Sequence, residues 1–188
     1  MIVPVLFSLF QFPFLILLIN ATGVTDTSYD FGSNKDGNNW VVINDGVMGG
    51  LSRGVATLDE NSMVFQGTIS FANNGGFASL RSNRIRLSVS EVEYVEIKYR
   101  LKGLSFSLML EQSYRYWLPY YSYPLETTED EWVTKRIPIG EFYETRLGDY
   151  TGRYLNKNRA NDVIRVGFIS RDKKAESFEL EIDYIKIS

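Results

Sequence analysis

The chain has 188 residues, 44% of them hydrophobic and 23% charged, with a formal net charge of −3 and no histidine or cysteine. That length and balance fit one domain with a sizeable core, with or without a targeting segment. The missing residue types exclude Ser-His-Asp and Cys-His catalysis, disulfides, and the usual zinc, haem and iron–sulfur ligands, and the acidic balance argues against a nucleic-acid partner.

Residues 2–19 are almost wholly apolar, broken only by Pro4, Ser8, Gln11 and Pro13, and Asn20-Ala21-Thr22-Gly23 follows. Residues 1–21 therefore read as a signal peptide cleaved near Ala21, or as an N-terminal apolar anchor and membrane tether if left uncleaved. The first basic residue is Lys35, whereas a mitochondrial transit peptide would need arginines, so a matrix address is not expected. The expected address is exported, periplasmic or secreted. Residues 22–27 form a linker, and residues 28–188 form the folded domain.

Tyr29 and Phe31 alternate as a first short strand. Trp40-Val41-Val42-Ile43 reads as a buried strand, closed by the turn formers Asn44-Asp45-Gly46. Gly49-Gly50 and Gly75-Gly76 mark two further corners where the backbone can take positive φ or pass close to another chain. With Met48 between them, these corners predict a specified packing arrangement and not a solvated loop. They do not form a phosphate cradle, because no Gly-Lys-Ser/Thr and no following helix is present. Asp45 and Arg81 are the charges inside this pattern; an ion pair or backbone hydrogen bonds would satisfy them if partly buried.

Short alternating runs fill the rest. Met63 and Phe65, then Ile85, Leu87 and Val89, then Val95, Ile97, Tyr99 and Leu101, then Leu104, Phe106, Leu108 and Leu110 each place apolar side chains on one face. Trp132 to Ile137, Ile164 to Ser170, and Phe178, Leu180 and Ile182 continue the series. Strands at this density, without a helical period, predict an all-β antiparallel β-sandwich. Two segments stand apart. Residues 114–123 hold six aromatics, of which alternation places Tyr114, Tyr116, Leu118 and Tyr120 inward and Arg115, Trp117 and Pro119 outward. Residues 141–162 read as a long loop carrying tyrosines and arginines, of a length that is usually functional or mobile.

The residues Trp40…Asn44-Asp45-Gly46-Val47-Met48-Gly49-Gly50-Leu51-Ser52, then Phe65-x-Gly67-x-Ile69-Ser70, then Asn74-Gly75-Gly76-Phe77-Ala78-Ser79-Leu80-Arg81 resemble one family. It is the NADH:ubiquinone oxidoreductase complex I intermediate-associated protein 30 family. The resemblance extends through Trp132…Ile137-Pro138…Phe142, Ile164-x-x-Gly167-Phe168 and Phe178-x-Leu180-x-Ile182-x-x-Ile185, and so covers residues 28–188. Lys174-Ala175-Glu176 departs from it, where the family tends to carry glycine. The resemblance implies a galactose-binding-like jelly roll and an assembly-factor or chaperone-like role.

The expected function is accordingly a non-enzymatic domain that binds a protein client. The rival is a carbohydrate-binding module of an exported protein, because sugar rings stack on exposed tyrosine and tryptophan faces. Trp117, Tyr120, Tyr121, Arg146 and Arg153 are the binding candidates. No catalytic residue is expected: Glu111, Glu129 and Glu131 are carboxylates without a marking pattern. A structural calcium held by carboxylates and backbone oxygens is a better possibility than catalysis, but no Asp-x-Asp string names its ligands, so no metal-binding residue is assigned and no cofactor is expected.

Overall fold

A computed structural model describes residues 27–158 and 161–188. The expected leader or anchor, the linker as far as residue 26, and Arg159 lie outside the described residues. The strands, in chain order, begin with β1 (Thr27–Asp30), β2 (Val41–Asn44), β3 (Arg53–Leu58), β4 (Met63–Thr68), β5 (Ala78–Arg81) and β6 (Tyr94–Gly103). Then follow β7 (Phe106–Glu111), β8 (Tyr120–Leu125), β9 (Val133–Pro138), β10 (Tyr143–Arg146), β11 (Asp149–Tyr154), β12 (Arg165–Ser170) and β13 (Ser177–Ile187). Among the described residues no helix is long and apolar enough to cross a membrane.

Two antiparallel sheets face each other in a jelly roll. The smaller has the order β3-β4-β13-β6-β9, with β1 beside the later half of β13; the larger has the order β11-β10-β8-β7-β12-β5-β2. The period-two sets meet between them. Val95, Ile97, Tyr99 and Leu101 of β6 and Phe178, Leu180 and Ile182 of β13 are buried against Phe106, Leu108 and Leu110 of β7 and Val166 and Phe168 of β12. Phe65, Phe106 and Phe178 form an aromatic centre with ring separations of 4.9–5.7 Å. Trp40 caps one end, edge-on to Tyr29 and Phe31 at 5.2 Å and stacked on Phe168 at 6.0 Å. A bulge between Ile182 and Tyr184 shifts the inward parity of β13, so Ile185 and Ile187 continue the buried row.

Three expected elements differ. The alternation at 84–89 makes no strand: Leu87 forms an isolated bridge with Val163, Ile85 N–H donates to the Ile164 carbonyl, and a 3-10 turn at Val89–Glu91 redirects the chain into β6. The 141–162 segment is largely the β10–β11 hairpin, whose turn places Leu147 at φ 51° and Gly148 at φ 89°, as a two-residue primed turn requires. Residues 112–119 form a turn-containing connection, with Leu118 N–H donating to the Arg115 carbonyl. Tyr114, Tyr116 and Leu118 are therefore exposed and not core, because no partner strand imposes the alternation there.

Candidate ligand-binding face

The glycine-rich motif builds a buried carboxylate clamp. Asp45 opens the connection from β2 to β3, and Gly75 and Gly76 close the connection from β4 to β5. Both connections cross from one sheet to the other. Asp45 accepts hydrogen bonds from Ser52 N–H at 2.9 Å, Ser52 Oγ at 2.5 Å, Gly76 N–H at 2.6 Å and Phe77 N–H at 3.3 Å. Burial raises its pKa, yet these donors outweigh burial and hold it below the usual carboxylate value. A Cβ on Gly50 would stand 2.3 Å from Asp45 Cγ, and one on Gly75 would stand 2.5 Å from Oδ2. Those two glycines are small because the carboxylate needs the space. Gly49 and Gly76 instead take positive φ, 88° and 139°. Asn44 fixes the same corner, its side chain donating to and accepting from the Gly54 backbone at 3.1 and 3.0 Å. Met48 faces solvent, contrary to a packed role, whereas Phe77 is half-buried.

Arg81 belongs to a second site, on the outward face of the larger sheet. Alternation points Arg81 and Ser79, Arg165 and Gly167, Met109 and Glu111, Tyr120 and Ser122, and Tyr143 and Thr145 away from the core, and cross-strand register aligns them in rows. An outward row is ordinarily solvated. Here Ser79, Met109, Glu111, Ser122, Thr145 and Arg165 are all buried, so the middle of the face is recessed below its rim. At its floor Glu111 Oε1 takes Arg81 Nη1 at 3.1 Å and Glu111 Oε2 takes Arg165 Nε at 2.5 Å. Burial lowers the Arg81 pKa against the pull of Glu111, and the neighbouring Arg165 lowers it further.

Tyrosines surround this floor. The Tyr114 ring lies 4.9 Å from the Arg165 guanidinium. Tyr120 has its hydroxyl pKa pushed up to about 12, by burial first, against the lowering charge of Arg81 and with smaller raising contributions from Glu111 and Tyr143. Tyr143, Tyr150 and Tyr154 form a ring chain with centroid separations of 5.3 and 5.9 Å, and Tyr150 and Tyr154 are exposed. The outward face of the smaller sheet differs. There Lys98–Asp183, Arg100–Glu181 and Lys102–Asp130 neutralise one another and Trp132 lies beneath Lys98 and Arg100.

The five sequence-derived binding candidates divide between two sides. Tyr120 stands on the recessed face, opposite Thr145. Trp117 is exposed in the 112–119 connection, and its carbonyl accepts Arg146 Nε at 3.2 Å, which holds that connection over the end of β10. Tyr121 points the other way, against the core edge, with Glu144 opposite it and Arg153 Nη1 3.7 Å from Glu144. Arg165 escaped sequence reasoning, and Glu111 had no pattern to distinguish it. The available signal was a charge set within an apolar strand, Leu110-Glu111 and Ile164-Arg165-Val166. Among the described residues no three Asp or Glu side chains converge as a metal site.

The two packed sheets define a jelly-roll fold of the kind found in carbohydrate-binding modules. The chain is similar to the family 11 carbohydrate-binding module of the cellulosomal cellulase Lic26A-Cel5E of Clostridium thermocellum: TM-score 0.61 and 13% identity over 86% of this chain and 95% of that one. It is also similar to a family 11 module from Clostridium thermocellum in complex with a β-1,3-1,4-mixed-linked tetrasaccharide: TM-score 0.58, 14% identity, 86% and 94% coverage. At such identities the likeness is one of fold. Residues 29–182 match the complex I intermediate-associated protein 30 family, and the chain belongs to that family. No curated protein matches it.

Proposed function

We propose that this domain binds an oligosaccharide, without turnover, on the recessed face of its larger sheet. The observation that supports it is the Arg81–Glu111–Arg165 floor beneath a tyrosine rim. A ligand rich in hydroxyl groups needs converging polar atoms for its edges and flat rings for its faces, and both are present on one side of one sheet. The fold relatives named for carbohydrate binding agree with this reading. An exported setting, suggested by the apolar stretch at residues 2–19, would expose the domain to glycans. The test is calorimetric titration against a panel of soluble oligosaccharides, with chromatography of each mixture after prolonged incubation. Saturable binding with the sugar recovered intact is the expected outcome. Shortened products would overturn the non-enzymatic part of the proposal, and no binding across the panel would overturn the glycan part.

A protein client is the second reading. Family membership favours it, as do the exposed apolar side chains Met48, Leu51 and Phe71 carried on the two connections that Asp45 joins. Changing Met48 and Leu51 to serine should then abolish capture of a client from the native compartment while oligosaccharide binding persists.

A further inference from the structure

Resting on the oligosaccharide reading, we propose that the sugar recognised is acidic, with a carboxylate seated on Arg81 and Arg165. The face carries an unbalanced charge. Across the outward rows of the larger sheet the described residues include two arginines, Arg81 and Arg165, and one carboxylate, Glu111. Arg115 adds positive charge in the 112–119 connection, its guanidinium 6.0 Å from the Trp117 ring, while Arg146, bonded to the Trp117 carbonyl, stands opposite Asp149 across the β10–β11 hairpin. This excess is local, for the whole chain has a net charge of −3.

The guanidinium groups are also incompletely used. Ser79 Oγ and Glu111 take Nε and Nη1 of Arg81, and Glu111 takes Nε of Arg165. The other guanidinium N–H groups of the pair have no acceptor among the described residues. Arg81 Nη2 and both Nη atoms of Arg165 are not among the fully buried side-chain atoms lacking a partner, so they reach solvent. Two planar forks held by one carboxylate, with donors left to solvent, suit a second carboxylate over them. A neutral sugar would offer only hydroxyl oxygens, leaving the excess charge uncompensated in a recessed site. The surrounding tyrosine rings select a pyranose as the bearer of that carboxylate over a flexible acidic side chain.

The experiment titrates the whole domain with an oligogalacturonate, a neutral gluco-oligosaccharide of equal length and a poly-aspartate peptide, each at low and high salt. The expected result is that the oligogalacturonate binds at least about tenfold tighter than the neutral sugar, with the preference shrinking as salt rises. Arg165→Lys, which keeps the charge but loses the fork, should lose most of that preference, its affinity for the oligogalacturonate falling further than its affinity for the neutral sugar. Equal affinity for both sugars would overturn the acidic specificity and leave the oligosaccharide reading standing. Binding of the peptide alone would overturn both, and so would binding of none of the three. If Arg165→Lys fails to fold, the wild-type ratio between the two sugars still decides.

Discussion

Arg81 crosses β12 in the space that residue 167 leaves by lacking a side chain. A Cβ on Gly167 would lie 3.1 Å from Arg81 Cγ and 2.7 Å from the Leu80 carbonyl. The arginine thereby passes over one strand to meet Glu111 on the next. Gly167→Val should displace Arg81 and strain the β5–β12 pairing, at about 1–3 kcal/mol. Thermal melting would register the loss, and an unchanged melt would mean that the strands part there without cost.

The Arg81–Glu111–Arg165 group should be a burden on stability that the fold carries for another purpose. Glu111→Gln leaves two recessed guanidinium groups without their counter-charge and should cost about 3–5 kcal/mol. Replacing all three, with Arg81→Met, Glu111→Leu and Arg165→Met, should match wild type or exceed it by up to about 4 kcal/mol. Ligand binding should vanish in the triple variant. A triple variant that melts well below wild type would make the triad structural.

Asp45 should give the protein an acid-sensitive step. Its folded pKa is lowered, so the stability it contributes is complete above the unfolded value near pH 3.9 and is lost as pH falls through the lower folded value. At neutral pH, Asp45→Asn should cost roughly 2–4 kcal/mol, since several charge-assisted bonds weaken together. The gap between the two melting temperatures should begin to narrow below about pH 4 and close once the pH is below the lowered folded value. A gap independent of pH would remove the carboxylate charge from the explanation.

Trp117 is an exposed ring on a connection tied down through its backbone, and no core depends on it. Trp117→Ala should leave the melt within about 0.5 kcal/mol of wild type. If this ring borders the ligand, affinity should fall by about 2 kcal/mol. Unaltered affinity would confine the site to the tyrosines.

The sandwich was legible because its strands are long enough for alternation to be unambiguous. Val95 to Leu101 and Leu104 to Leu110 sit where period two puts them, and the spacing Ile182-x-x-Ile185 carries the bulge of β13. Short or turn-bounded segments were harder. The β10–β11 turn is Leu147-Gly148, without the Asn-Gly or Asp-Gly that usually marks a primed turn. Tyr114 and Tyr116 carry the right period but have no neighbouring strand, so nothing buries them. In the motif, the glycines were visible as corners. Their common cause, the side chain of Asp45, was not, because the contact joins positions 31 residues apart. The floor of the recessed face has the same origin: Glu111 and Arg165 are 54 apart in sequence and meet only through the pairing of β7 with β12.

The Asp45 clamp also answers a question that the amino-acid inventory poses. A domain without cysteine has no covalent staple to hold two sheet-to-sheet connections in register. Here a single carboxylate, gripping Ser52 on one side and Gly76 and Phe77 on the other, does the stapling with hydrogen bonds alone. Such a staple is indifferent to thiols and oxidants. Its hold on that end of the sandwich does not depend on the thiol–disulfide balance of the surroundings, and neither a thiol oxidant nor a disulfide isomerase is needed to form it.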